Sequence, residues 1–305
     1  MDNIPLIDFS HPDSHGGRDD KEISTQIDLA CREVGFFTVR GHRIDSAMIH
    51  DAYVALRRFF TLPLCEKEKC RLPTGPTRGP DDHTPYGYSA LLEENALAYM
   101  GQHGRPSDYV EKFSVGRLIL NDEEPLPFAD GQRGQDLRRL LKNYYSACEL
   151  LAARVMELLT IPLSLPRDFF TNMINNAEDS MRAHFYPGYT SDFANDQGMG
   201  EHTDGTLITL LTQTAPGIQV RTRNGQWIAP EVHGSDIFIV NIGDLMAHWT
   251  KGRYLSTQHR VVLSERERQS IVFFKLTNED EMVRFGNRQM DALFGRQDAA
   301  ELKTD

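Results

Sequence analysis

From about Ser180 onward the chain reads as a succession of short apolar stretches: "SMRAHFYPG", "HTDGTLITLLTQ", "GIQVRTR", "QWIAPEV", "SDIFIVNIG", "LMAHWT", "TQHRVVLS" and "QSIVFFKL". Each is about one strand long. Gly, Asn, Asp or Glu clusters part them, and "RNG" and "SERE" are hairpin-turn signals. Eight such stretches in a row leave little room for helices and predict a sandwich or barrel.

The first seventy residues alternate instead. "IPLIDF" and "GFFTVRG" read as strands. "DKEISTQIDLACREV" places Ile23, Ile27, Ala30 and Val34 at helical spacing, and "DSAMIHDAYVALRRFFTL" is a second helix capped by Asp45 or Ser46. Leu72 to Ser89 is dense in Pro, Gly and Asp, a candidate lid, and Gln135 to Leu159 reads as a long helix. The expected class is mixed α+β with a mainly β core. Residues 1–120 form a mixed α/β region packed on that core, and residues 121–305 hold the long helix and the core itself, in one integrated domain.

Composition narrows the function classes. The 305 residues are 40% hydrophobic and 25% charged, enough for a large core. A net charge of -11 gives no basic footprint for nucleic acid. Cys31, Cys65, Cys70 and Cys148 make no CxxC pair, as expected of reduced thiols in the cytosol. The N-terminus lacks a basic region followed by an apolar stretch, so no signal peptide is read. Ser146 to Pro166 carries Glu149, Arg154 and Glu157 and is cut by Pro162, so it fails as a membrane span. The expectation is a soluble, cytoplasmic protein, a monomer or weak homo-oligomer, acting on a small molecule.

The chemistry gathers in "EHTDGTLITLL". If this is one strand, His202 and Asp204 project to the same side, because residues i and i+2 share a face. A neutral nitrogen beside an anionic oxygen suits a first-row metal. His259, in "STQHRVV", is the best third ligand among the remaining histidines. Two His and one carboxylate on one face of a metal form the facial triad of non-haem iron(II) oxygenases. The same donors also suit a zinc hydrolase. His248, in "MAHWT", is read as strand-borne and structural. In "RERQSIVFF", Arg268 and Ser270 again share a strand face, on what is expected to be the hairpin partner of the His259 strand. A guanidinium fork beside a hydroxyl is a carboxylate receptor.

These motifs carry a resemblance along nearly the whole chain. "IPLIDFS" and "ACREVGFFTVRGH", then "HFYPG", "HTDGTLITLLTQ", "GIQVRTRNGQWI", "IVNIGDLMAHWTKGRYLSTQHRVV" and "RQSIVFF" follow one another as in the iron(II)/2-oxoglutarate-dependent dioxygenases. The branch it resembles includes isopenicillin N synthase and the plant flavonoid and gibberellin oxygenases. The resemblance implies a double-stranded β-helix, or jelly roll, flanked by helices, with its core at about residues 178–280. It implies iron(II) on His202, Asp204 and His259, and 2-oxoglutarate and O2 as cosubstrates. It puts Arg268, Ser270, Tyr186 and His184 around 2-oxoglutarate, and Arg182, Phe274 and Tyr88 near substrate. The implied reaction oxidises, most often hydroxylates, a metabolite of specialised biosynthesis, with release of succinate and CO2. Two other readings stay open: an isopenicillin N synthase-like oxidase without 2-oxoglutarate, and a non-catalytic binding or sensor protein. Gly205 departs from the family pattern, which often has a larger residue there.

Overall fold

The computed structural model describes residues 3–10, 18–71, 86–123, 128–189, 197–231, 234 and 236–278. Twelve strands form among them. The first four are β1 (Leu6–Asp8), β2 (Phe36–Arg40), β3 (Gly87–Ser89) and β4 (Glu111–Gly116). Next come β5 (Ser180–Tyr186), β6 (Met199–His202), β7 (Ile208–Gln213) and β8 (Ile218–Arg221). The last are β9 (Trp227–Ile228), β10 (Phe238–Ile242), β11 (His259–Val261) and β12 (Arg268–Lys275).

They build two sheets. The larger has the order β1-β2-β10-β7-β12-β5-β4-β3, and the smaller β6-β11-β8-β9. The N-terminal strands β1 to β4 therefore belong to the same sheet as the later strands. This is the two-sheet jelly roll with flanking helices that the sequence led us to expect. The "RNG" turn behaves as read: Thr222 and Gln226 close it and Gly225 takes φ 79°.

The large sheet is covered on both faces, which is why its central strands β7 and β10 are buried at every residue. Alternate residues go to different cores. Phe37, Val240, Leu210, Phe273 and Ala183 meet the helices. Phe36, Ile239, Leu211 and Val272 face the small sheet, where they meet Ile218 and Val220. The helix Gln132–Thr160 lays Leu137, Leu141, Tyr144, Cys148, Leu151 and Val155 on the first core, a stripe at helical spacing. The helix Ser46–Phe60 joins it, capped by the Asp45 carboxylate, which accepts from the Ala47 N–H.

Three readings need correction. "HTDGTLITLL" is not one strand: β6 ends at His202 in the small sheet, and β7 begins at Ile208 in the large one. The strands β11 and β12 are not a hairpin pair, since they too lie in different sheets. "LMAHWT" is no strand. Asp244–Trp249 is a short helix with His248 exposed, because six residues are too few for periodicity to separate the two states. Most of the candidate lid, residues 72–85, lies outside the described residues.

Candidate metal centre and cavity

The strands β6 and β11 pair antiparallel with His202 directly opposite His259. Cross-strand partners share a face, so the two rings lie 4.3 Å apart between centroids. Just past β6 the chain crosses from one sheet to the other, and Asp204 sits in that crossing. The start of the Asp244–Trp249 helix clasps the turn: the Asp244 N–H donates to the Asp204 carbonyl at 2.7 Å, and Leu245 N–H to Thr206. Gly243 is required there, because a Cβ would collide with the Thr206 backbone.

The three donor groups converge. One ligand atom from each of His202, Asp204 and His259 falls within 4.8 Å of the others. Each imidazole is aimed by its own chain: His202 Nδ1 bonds the Gly200 carbonyl at 2.8 Å and His259 Nδ1 the Thr257 carbonyl at 3.1 Å. That leaves both Nε2 atoms facing Asp204, at 3.9 and 3.8 Å from its oxygens. Asp204 Oδ2 accepts from the Thr209 hydroxyl and the Asn241 amide, both at 2.8 Å. Burial, reinforced by the neighbouring His259, lowers the His202 pKa to about 4. Burial pushes Asp204 the other way, but His259, His202 and the Asn241 and Thr209 hydrogen bonds outweigh it and hold it below the usual carboxylate range. At neutral pH His202 is thus a neutral nitrogen donor and Asp204 an anionic oxygen donor, the states a divalent first-row metal needs.

The strands β5 and β12 form the adjoining wall. Their register sets Arg268 against Tyr186, Ser270 against His184, Val272 against Arg182 and Phe274 against Ser180. Arg268 is 1% exposed, and its guanidinium lies over the Tyr186 ring at 4.6 Å. Nε donates to the Ala215 carbonyl at 3.1 Å and Nη2 to the Gln213 side-chain oxygen at 2.6 Å, while Nη1 has no partner among the described residues. Both acceptors are neutral. Gly217 packs flat on the guanidinium, where a Cβ would strike Nε. His184 is buried. Burial, then Lys112, Arg182 and Arg268, keep it well below its usual pKa, and its Nδ1 has no partner.

The cavity between the sheets measures about 550 Å³ and is lined by all three metal-ligand candidates together with Ser270, Tyr186 and His184. Arg182 and Phe274 line it too, with the guanidinium stacked 4.9 Å from the ring centroid and Arg182 Nε unpartnered. Gly205 also faces it, and a Cβ there would meet nothing within 4 Å. Tyr88 does not belong. Its hydroxyl donates to Glu111 at 2.6 Å and its ring joins the helix-side core. The stretch expected as loop ends in the strand β3, where Tyr88 pairs with the core residue Phe113 and so faces the helices, while Ser89 pairs with the cavity residue Lys112.

Sequence reading missed Asn241, Gln213, and the ion pair between buried Lys112 and half-buried Glu94, whose charges meet at 2.5 Å at the cavity wall. The signal for the first two was available: each is a lone amide in or ending an apolar strand, "FIVNI" and "ITLLTQ".

Comparison with known proteins follows the same lines. The family model described as the 2OG-Fe(II) oxygenase superfamily matches residues 177–277. A second, described as the N-terminal region of non-haem dioxygenase in morphine synthesis, matches residues 4–134. A homoarginine-6-hydroxylase of Glycine max is 33% identical over 303 residues, covering 92% of this chain and 87% of the relative. Gibberellin 20 oxidase 1 of Arabidopsis thaliana is 30% identical, covering 96% and 75%. Among solved structures, a full-length Neurospora crassa protein in complex with alpha-KG superposes with a TM-score of 0.77 at 27% identity, over 90% of this chain and 85% of that one. JOX2 in complex with 2OG, Fe and JA gives 0.72 at 26%, over 91% and 76%.

Proposed function

Because this chain belongs to the 2OG-Fe(II) oxygenase superfamily, it is an iron(II)- and 2-oxoglutarate-dependent dioxygenase acting on a small molecule, and we propose that His202, Asp204 and His259 are its three iron ligands. The donor set fits the ion: two imidazole nitrogens with their other nitrogens already committed, and one carboxylate held by two donors. When bound, iron(II) with 2-oxoglutarate supplies the O2 activation that ends in oxidised product, succinate and CO2.

The chain's own part is to position and to exclude water. Arg268, Ser270 and Tyr186 take the far carboxylate of 2-oxoglutarate, and His184 presents a neutral ring beside it. The observation that carries this reading is the Arg268 guanidinium, buried with only neutral acceptors and with Nη1 unsatisfied. A buried charge without a counter-charge costs several kcal/mol, so an anionic ligand belongs there. Arg182 holds an acidic group of the substrate while Phe274 supports its apolar part, since both line the cavity, Arg182 Nε has no partner among the described residues, and the guanidinium is already stacked on that ring. Hydroxylation is the outcome that the name of the Glycine max relative supports.

No described helix is long and apolar enough to cross a membrane. The net charge of -11 and the four free thiols support a cytoplasmic protein without a nucleic-acid partner, working as a monomer or weak homo-oligomer.

Anaerobic titration tests the assignment. Adding 2-oxoglutarate to protein loaded with iron(II) should give a saturable visible charge-transfer band in the wild type and none in His259→Ala. A wild type without the band would overturn the reading. For the substrate site, Arg182→Leu should raise KM for acidic substrates about tenfold or more and leave the KM for 2-oxoglutarate in place.

A further inference from the structure

The cosubstrate pocket has a second buried group that is not satisfied. Gln213 ends β7 directly opposite Ser270, so it shares the face that carries Ser270 and Arg268. It is 1% exposed. Its side-chain oxygen accepts from Arg268 Nη2 at 2.6 Å, and its Nε2 has no partner. Arg268 Nη1 is unpartnered as well. Two buried donor groups, joined by one hydrogen bond, are therefore left over at the same place.

The residue type matters more than the hydrogen bond. A glutamate would reach the same guanidinium with the same number of side-chain atoms and would neutralise it. Such a charge-assisted pair is the stronger interaction, and it would relieve the buried charge inside the protein. The chain instead fixes Arg268 with an amide, which orients the fork and takes none of its charge. The amide also keeps an N–H donor of its own, Nε2, which is buried without a partner among the described residues, directly across from the cavity residue Ser270.

We propose that Gln213 is a specificity-determining residue of the cosubstrate site: it holds Arg268 in place through a neutral acceptor, keeps the guanidinium charge available, and offers Nε2 as a further donor to the far carboxylate of 2-oxoglutarate. The inference rests on the reading of Arg268 given above. It implies a trade, in which a more stable empty protein is given up for an unneutralised anion receptor.

Gln213→Glu exposes that trade through two measurements that move in opposite directions. In metal-free protein without 2-oxoglutarate the variant should melt several degrees higher, because the ion pair closes. In the anaerobic iron(II) titration it should need about 100-fold more 2-oxoglutarate to develop the visible band, because the receptor is already neutralised and a second carboxylate repels the ligand. Gln213→Leu, which can neither neutralise nor donate, should weaken 2-oxoglutarate about tenfold without a rise in melting temperature. Iron(II) affinity measured before 2-oxoglutarate is added should stay within about threefold in both, since neither variant touches the triad. If Gln213→Glu binds 2-oxoglutarate as the wild type does, or melts lower than the wild type, the inference is wrong. If the wild type itself develops no band, the iron and 2-oxoglutarate reading fails and the inference falls with it, whereas a wild-type band matched by Gln213→Glu overturns the role of Gln213 alone.

Discussion

The two faces of the strands β5 and β12 are one residue apart in sequence and opposite in what they do. On the helix side, Ala183, Phe185, Ile271 and Phe273 are buried among the apolar residues of the main core. On the cavity side, Arg182, His184, Arg268 and Ser270 carry four polar groups, three of which have a buried nitrogen with no partner. One face gains stability from close packing. The other leaves hydrogen-bonding capacity and one charge without a counter-charge among the described residues, at a cost in stability that the proposed ligands would offset. Alternation along a strand keeps the two tasks from interfering.

The comparison breaks first at the metal. His202→Ala or His259→Ala should reduce turnover by at least about a thousandfold while melting temperature falls little, because the ring removed serves the cavity. Activity near the wild-type level in either variant would take that residue out of the triad. The opposite face should answer in the opposite way. Phe273→Ala should cost about 3–5 kcal/mol in denaturant unfolding, because a ring that is 0% exposed leaves a cavity. The folded fraction should still bind 2-oxoglutarate at the wild-type concentration. Lost binding there would mean that the two faces are coupled.

A pH series on metal-free protein sharpens the difference further. The folded His202 ring titrates near 4, against an ordinary value of 6.5. The unfolded chain therefore takes up its proton first as pH falls. Stability should decline from about pH 6.5 down to about 4, by on the order of 3 kcal/mol from this ring alone. His202→Leu should lack that part of the decline, and identical slopes in the two proteins would contradict it. The smallest effect is expected at Gly205. An added Cβ meets nothing there, and the backbone is not in the left-handed region, so Gly205→Ala should change stability by less than about 1 kcal/mol. A change in substrate KM without one in 2-oxoglutarate KM would show that the open space is used by substrate.

Much of this was legible beforehand. Residue type and spacing were enough to pair Arg268 with Ser270 on one strand face, and His202 with Asp204 although the aspartate lies just past the end of β6. The order of the motifs supplied the jelly roll. What the sequence concealed was where strands change sheets. "HTDGTLITLL" is apolar enough to read through, yet the crossing at residues 203–207 is held by a partner forty residues away, the start of the Asp244–Trp249 helix. Tyr88 was misplaced because the end of the Leu72–Ser89 stretch reads as loop, whereas Gly87–Ser89 is a strand whose pairing with β4 turns Tyr88 to the helix side. Gln213 and Asn241 carry no charge and so stand out less than Arg268 or Asp204, although an amide in a buried strand needs a partner just as much.

The central claim is that Arg268 is kept for a ligand and contributes little to the fold. Replacing it tests that most directly. Arg268→Met removes an uncompensated buried charge, a gain of several kcal/mol. It also leaves the Ala215 and Gln213 oxygens without a donor, at about 1–3 kcal/mol each. The account predicts that denaturant unfolding of metal-free Arg268→Met, without 2-oxoglutarate, gives a stability within about 1 kcal/mol of the wild type. A loss of 3 kcal/mol or more, the ordinary result of breaking a compensated buried pair, would make Arg268 a structural residue and contradict the account.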